Sequence, residues 1–63
     1  MGRASRIRFL TGGAQLRGEG TWFFTFGPGR GLVHTGRWTE AKRRATLLAL
    51  EIGAEQIQVR VAR

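Results

Sequence analysis

The stretch that most constrains the fold is residues 21–38, TWFFTFGPGRGLVHTGRW, which holds three of the four phenylalanines and both tryptophans. Its middle, GPGRG at residues 27–31, is a turn sequence, because proline presets one turn dihedral and glycine accepts the positive φ of tight turns. Alternating residues on both sides of this tip predict a β-hairpin. Thr39 is a good N-cap residue, so we expect a helix to follow the hairpin directly and to pack against its sheet.

Apolar side chains occur on both faces of the first strand of this hairpin. Successive strand residues point to opposite faces, which groups Trp22, Phe24 and Phe26 on one side and Thr21, Phe23 and Thr25 on the other. This pattern predicts a central strand, or a strand whose outer face meets a partner. Period-two alternation predicts two further strands, at residues 6–11 before the hairpin and at residues 56–62 after the helix.

The helix is predicted from Thr39 to Gly53, a glycine that ends helices well. At about 100° per residue, one stripe carries the side chains expected to face the sheet: Ala41, Ala45, Leu48, Ala49 and Ile52. These patterns together predict an α+β fold, a small antiparallel β-sheet of three to five short strands packed on one α-helix, with a C-terminal strand after the helix. We expect that last strand to return beside the first strand or to cross to a second copy.

A chain of 63 residues is one domain, and residues 1–5 are expected to be a flexible basic arm. So small a domain buries only about 60% of the surface that its unfolded chain exposes, and the absence of cysteine removes disulfides as a support. Leu47 and Leu50 lie away from the predicted core stripe, so we predict a homodimer or another protein contact there. No apolar run approaches the roughly 20 residues of a membrane span, and we expect a cytoplasmic protein with no membrane partner.

The charge of the chain is strongly positive, with 11 Lys and Arg residues against four glutamates and a formal net charge of +7. Ten of the eleven are arginine, whose planar fork holds a phosphate or a guanine edge with two hydrogen bonds and also stacks on a base. A GC-rich genome would also raise the share of arginine, but it would not remove acidic residues. The charge therefore favours a polyanionic partner.

Catalytic chemistry has few residues to use. The sequence has one histidine, one serine and no cysteine, aspartate or tyrosine, so it offers neither a catalytic triad nor a pair of catalytic carboxylates. His34 is interpreted as a structural histidine, and a metal site would need more ligands than the chain has. We expect a protein that is not an enzyme and that holds no metal and no cofactor.

The residues expected to contact nucleic acid fall into four groups. The outer face of the hairpin sheet carries Arg17, Thr21, Phe23, Thr25, Thr35 and Arg37. Arg8 lies on the first strand. Arg30 lies at the hairpin tip, where turn chemistry explains the glycines but does not require an arginine. The first turns of the helix carry Lys42, Arg43 and Arg44.

The aromatic residues divide between core and surface. A narrow sheet fits the major groove of DNA, where arginine reads guanine, whereas on a single strand an exposed aromatic ring stacks on bases. Phe24, Phe26 and Trp38 are assigned to the core. Trp22 and Phe23 fit either role, and both are included among the predicted nucleic-acid contacts.

A family resemblance rests on the order of short motifs across the hairpin and helix. Gly20-Thr21-Trp22, a strand, a glycine-rich turn and the run TGRWTEA at residues 35–41 lead into an alanine-rich helix. This order, over roughly residues 15–54, resembles the DNA-binding domains built from a three-stranded sheet and a helix, namely the arm-binding domains of phage tyrosine integrases and the plant ethylene-response-factor domains.

The resemblance implies that the sheet face lies in the major groove, with Trp22 and Arg37 near the DNA and Arg17 on the preceding strand. The strands predicted at the two ends of the chain are additional to that family. They would either pair at the sheet edge or cover the binding face.

The sequence is compatible with two functions. The first is a small, basic, non-catalytic protein that binds nucleic acid as a dimer, with DNA favoured over RNA and with single and double strands both open. The second is a phage- or plasmid-type regulator that binds an acidic surface of a host protein, since arginine and aromatic residues are common hot spots of interfaces. Leu47, Leu50 and the two-sided strand favour the second.

Overall fold

The computed structural model describes residues 7–13 and 15–62. The arm predicted for residues 1–5 lies outside the described residues. The described chain forms four strands and one helix, in the order β1 (Arg8–Leu10), β2 (Glu19–Gly27), β3 (Arg30–Arg37), α1 (Trp38–Ile52) and β4 (Gln56–Ala62). One sheet contains all four strands in the order β1-β4-β2-β3, and α1 packs on it. The predicted α+β fold, with a strand after the single helix, is confirmed.

The directions of the strands explain where the helix lies. β2 pairs antiparallel with both β3 and β4, so β3 and β4 run in the same direction. Two strands of the same direction need a long crossover connection, usually a helix. α1 is that connection, since it follows β3 and returns the chain as β4, on the other side of β2.

The returning strand β4 lies beside β1, which confirms one of the two positions expected for the last strand. It also lies between β1 and β2, so it is an inner strand of the sheet. β1 and β4 pair in parallel. The sheet is therefore mixed, with one parallel pair beside two antiparallel ones. The prediction of an antiparallel sheet is wrong for the β1–β4 pair, because the crossover brings β4 back in the direction of β1.

The core lies between α1 and the inner face of the sheet. Its sheet residues come from the two inner strands and are at most 2% exposed: Trp22 and Phe24 on β2, and Ile57 and Val59 on β4. The helix contributes fully buried alanines at the predicted stripe, Ala41, Ala45 and Ala49. Small helix side chains opposite large sheet side chains let the two layers fill the space between them.

Trp38 sets the position at which the helix begins. Its ring centroid lies 5.0 Å from that of Trp22 and 5.6 Å from that of Phe9, and its backbone N–H donates a 2.9 Å hydrogen bond to the carbonyl oxygen of Gly18. The helix accordingly begins at Trp38, with an extended Arg37 as N-cap and no side-chain cap hydrogen bond. The prediction that Thr39 caps the helix is wrong, because aromatic contacts fix the first turn instead.

Glycine is needed at the end of the helix and at the hairpin tip. Gly53 ends α1 with a φ of 76°, as predicted. At the tip, Pro28 and Gly29 alone join β2 to β3, and Gly29 has a φ of 74°. The turn is shorter than the five-residue tip indicated by the sequence, because Gly27 already pairs with Arg30. Among the described residues, no helix has the length and apolar content to cross a bilayer.

Trp22 provides a test of this core. Its indole Nε1 donates a 2.9 Å hydrogen bond to the carbonyl oxygen of Gly36, and its side chain is 0% exposed. Replacement by phenylalanine removes that bond and leaves a cavity. We expect W22F to lower the free energy of unfolding by about 2 to 3 kcal/mol, measured by urea denaturation followed by circular dichroism.

The matched control is F23L, because the neighbouring Phe23 side chain points to the other face and is 41% exposed. This change should cost less than about 1 kcal/mol. Equal losses for W22F and F23L would contradict the assignment of the two rings to different faces.

Candidate functional site

The face of the sheet opposite α1 is left open by the described residues. Directly paired residues share a face, so the strand register identifies the side chains of this surface, which we call the open face. They are Arg8 and Leu10 on β1, Gln56, Gln58, Arg60 and Ala62 on β4, Thr21, Phe23 and Thr25 on β2, and Val33, Thr35 and Arg37 on β3, with Glu19 at one corner. Thr21 is half-buried and all the others are exposed.

An exposed aromatic ring lies at the centre of the open face. Phe23 pairs directly with Arg60 on one side and with Val33 on the other, and we call these three residues the central row. The Phe23 side chain is 41% exposed and Val33 is 58% exposed. The central row therefore presents a flat apolar surface with a guanidinium group at one end.

Polar side chains surround the central row along the strands. Thr21 pairs with Thr35, and their hydroxyl oxygens lie 3.3 Å apart, within hydrogen-bond distance. On the other side of the row, Thr25 pairs with Gln58, and Gln58 pairs with Leu10. These hydroxyl and amide groups both donate and accept hydrogen bonds, so the open face offers them to a ligand on both sides of Phe23.

The charge of the open face is positive. Arg8, Arg60 and Arg37 lie on three different strands, and Glu19 is its one acidic residue, which gives a net charge of +2 from three arginines and one glutamate. Glu19 Oε2 lies 3.6 Å from Arg37 Nε, and both side chains are more than 70% exposed. An ion pair so exposed contributes little to stability, and it leaves both groups accessible to solvent.

The structure brings together six of the predicted nucleic-acid contacts on the open face: Arg8, Thr21, Phe23, Thr25, Thr35 and Arg37. Trp22 is not among them. Its ring is fully buried on the inner face, so it cannot stack on a base, and its inclusion among the contacts is wrong. The strand alternation that exposes Phe23 is what buries Trp22.

The other predicted contacts are not part of the open face, although Arg17 borders its corner. Arg17 precedes β2 and is not in a strand; it helps to line a shallow hollow with Glu19 and Arg37 at the corner of the sheet. Arg30 is exposed at the hairpin tip. Three cations are exposed on the helix side of the molecule, Lys42, Arg43 and Arg44, and the Lys42 ammonium lies 6.0 Å from the centre of the Phe9 ring.

Sequence reasoning did not include seven residues of the open face among the candidate contacts: Leu10, Glu19, Val33, Gln56, Gln58, Arg60 and Ala62. The alternation of residues 56–62 does show that Gln58 and Arg60 face away from the core. What the sequence does not show is that β4 inserts beside β2. That position makes Arg60 the direct neighbour of Phe23.

His34 lies on the inner side of β3, away from the open face. Its side chain is 14% exposed, and its Nε2 lies 4.0 Å from Glu40 Oε1. Among the described residues, His34 Nε2 has no hydrogen-bond partner. No cluster of three or more potential metal ligands occurs in the part of the chain that the structure describes. The position of His34 fits a structural histidine.

A second exposed surface lies on the outer side of α1. Leu47 is 59% exposed and Leu50 is 49% exposed, whereas the alanines on the other side of the helix are buried. At helical spacing, Arg43 lies one turn before Leu47 on the same side. The helix is therefore apolar on two sides, of which only one is covered by the sheet.

Comparison of the chain with protein-family models, with curated proteins and with solved structures gives no match. The resemblance to the integrase arm-binding and ethylene-response-factor domains stays a prediction. The strands that are additional to that family both lie within the sheet, β1 at its edge and β4 inside it, and neither covers the open face. Arg17 departs from the implied position, since it is not on a strand.

Proposed function

We propose that this protein is a non-catalytic nucleic-acid-binding module whose open face contacts the ligand, with DNA favoured over RNA. The observation that carries the proposal is the placement of Arg8, Arg60 and Arg37 on three strands of one exposed face. Threonine and glutamine side chains lie between these arginines. Surfaces of this kind suit phosphate and base edges better than an uncharged partner.

The spacing of the strands supports this proposal. Neighbouring strands lie about 4.8 Å apart, so arginines on different strands spread over the width of the sheet instead of crowding at one point. Each guanidinium can donate two hydrogen bonds to a phosphate. Three such groups on a rigid sheet can follow a backbone that crosses the strands, while hydroxyl and amide groups contact what lies between the phosphates.

The helix side of the molecule is also basic, through Lys42, Arg43 and Arg44. The formal net charge of +7 attracts a polyanion from every direction, so attraction alone does not identify the binding side. Salt dependence of binding would likewise be expected for either surface. An informative experiment has to remove equal charge from the two sides separately.

The double variant R8Q/R60Q removes two cations from the open face, and R43Q/R44Q removes the same charge from the helix. We expect R8Q/R60Q to weaken binding about tenfold and to reduce the magnitude of the negative slope of log K against log salt by about 1.5, because two phosphate contacts and their released counterions are lost. R43Q/R44Q should have a much smaller effect. The measurement is fluorescence anisotropy of a labelled oligonucleotide at several salt concentrations.

Equal weakening by the two double variants would contradict binding through the open face and leave only a general charge effect. Stronger weakening by R43Q/R44Q would move the site to the helix. Failure of the wild-type protein to bind any duplex or single strand at low salt would overturn the proposal as a whole.

A second candidate function is favoured by the exposed leucines of α1. A phage- or plasmid-type regulator that binds an acidic surface of a host protein would use Leu47 and Leu50 as apolar anchors with Arg43 beside them. The expected observation for this function is one protein partner that is retained from lysate after nuclease treatment.

The same leucines would also suit a homodimer, in which the two open faces of a pair could bind one nucleic acid.

For the homodimer, the test is the variant L47Q/L50Q. Glutamine keeps a good helix-forming residue at both positions and removes the apolar contact. We expect the wild-type protein to show a concentration-dependent dimer in sedimentation equilibrium, and we expect L47Q/L50Q to be monomeric at the same concentrations.

The matched control for the dimer is L10Q/V33Q, which removes two exposed apolar side chains from the open face. This variant should still dimerise. Loss of the dimer in L10Q/V33Q but not in L47Q/L50Q would place the contact on the sheet, and a wild-type protein that is monomeric at every concentration would contradict dimerisation.

A further inference from the structure

We infer that the ligand of the open face is a single-stranded nucleic acid, with one base stacked on the ring of Phe23. This inference rests on the proposed function and specifies its ligand. In the central row, Phe23 is flanked directly by Arg60 and Val33.

Phe23 is a large aromatic residue on the exposed face of an inner strand. β2 is an inner strand, and the residues on either side of Phe23 along it, Trp22 and Phe24, are 0% and 2% exposed. Phe23 is 41% exposed and has its ring on the face that α1 does not cover. The core therefore does not need this ring, although a cross-strand contact with Val33 contributes some stability to the sheet.

The groups around the ring match the parts of a nucleotide. A flat aromatic surface suits the face of any base, and the adjacent Arg60 guanidinium can pair with a phosphate or extend the stack. Thr21 and Thr25 lie two residues before and after Phe23 on the same face. Their hydroxyl groups are placed to contact sugar and phosphate oxygens on either side of a stacked base.

Two features favour a single strand over a duplex. At the row that runs through Leu10, Gln58 and Thr25 to Gly31, the sheet is four strands wide, which is about 14 Å between the outer strands at about 4.8 Å per gap. The major groove is about 12 Å wide, so this part of the sheet cannot enter it. In a duplex, moreover, the faces of the bases are covered by their neighbours, and a ring such as Phe23 has nothing to stack on.

The experiment compares single-stranded ligands that have equal numbers of phosphates and differ in their bases, and it adds a duplex of the same length, which has twice as many phosphates. Fluorescence anisotropy measures the binding of oligothymidylate, oligouridylate, an abasic deoxyribose-phosphate oligomer of the same length, and a duplex of that length. We expect at least one of the two single strands to bind about fivefold to a hundredfold tighter than the abasic oligomer, the range expected for stacking one base. It should also bind tighter than the duplex.

Substitutions of Phe23 test whether its ring causes the preference for a single strand over the abasic oligomer. F23A and F23L should both reduce the ratio of affinities between the single strand and the abasic oligomer to about one, while F23Y keeps most of it because the aromatic face remains. E51A is the control, a truncation of an exposed side chain on α1 and away from the open face, and it should leave the ratio unchanged. Circular dichroism shows whether each variant is folded. If F23A is not folded, the comparison uses F23L, which also removes the aromatic ring.

The outcomes separate this inference from the proposed function. Equal affinity for the abasic oligomer and both single strands, or tighter binding to the duplex, overturns base stacking, while weakened binding by R8Q/R60Q in the same assay would still support nucleic-acid binding by the open face. An F23L variant that keeps the full preference for bases also overturns it. Absence of binding to all four ligands overturns both proposals.

Discussion

The burial of Trp22 and Phe24 beneath the alanines of α1 is the constraint on which the other features depend. Side chains alternate strictly along a strand, so placing these two rings in the core forces Phe23 to the opposite face. A slip of one residue would expose Trp22 and bury Phe23. The hydrogen bond from the Trp22 indole to the Gly36 carbonyl oxygen, at 2.9 Å, ties β2 to β3 in this register. The same contact that stabilises the core thus determines which residues can meet a ligand.

Much of the fold follows from local pattern. The hairpin, the alanine stripe of the helix and the alternation of the last strand can each be read from a few neighbouring residues, and each is present in the structure. The start of the helix could not be read in this way. Thr39 has the side chain of a cap, yet the contacts of Trp38 with Phe9 and Trp22 join residues far apart in the chain and outweigh the local preference.

The candidate site could be predicted only in part, because a site on a sheet depends on which strands are neighbours. Alternation identifies Thr21, Phe23 and Thr25 as one face of β2, but it cannot choose which face the helix covers, and so Trp22 and Phe23 fit either role on the sequence. The parallel pairing of β1 with β4 is a long-range contact with no local signal. This pairing brings Arg8 into the same sheet as Phe23. The insertion of β4 beside β2 makes Arg60 the direct neighbour of Phe23.

The core lies on one face of the sheet, and we propose that the ligand meets the other face, away from the helix. Nuclear magnetic resonance of the labelled protein during titration with a single-stranded oligonucleotide tests this claim most directly. We expect the largest shifts at the Phe23 ring and the Arg60 guanidinium, with little change at Lys42, Arg43 and Arg44. Shifts concentrated at those three helix residues, with Phe23 unchanged, would contradict it.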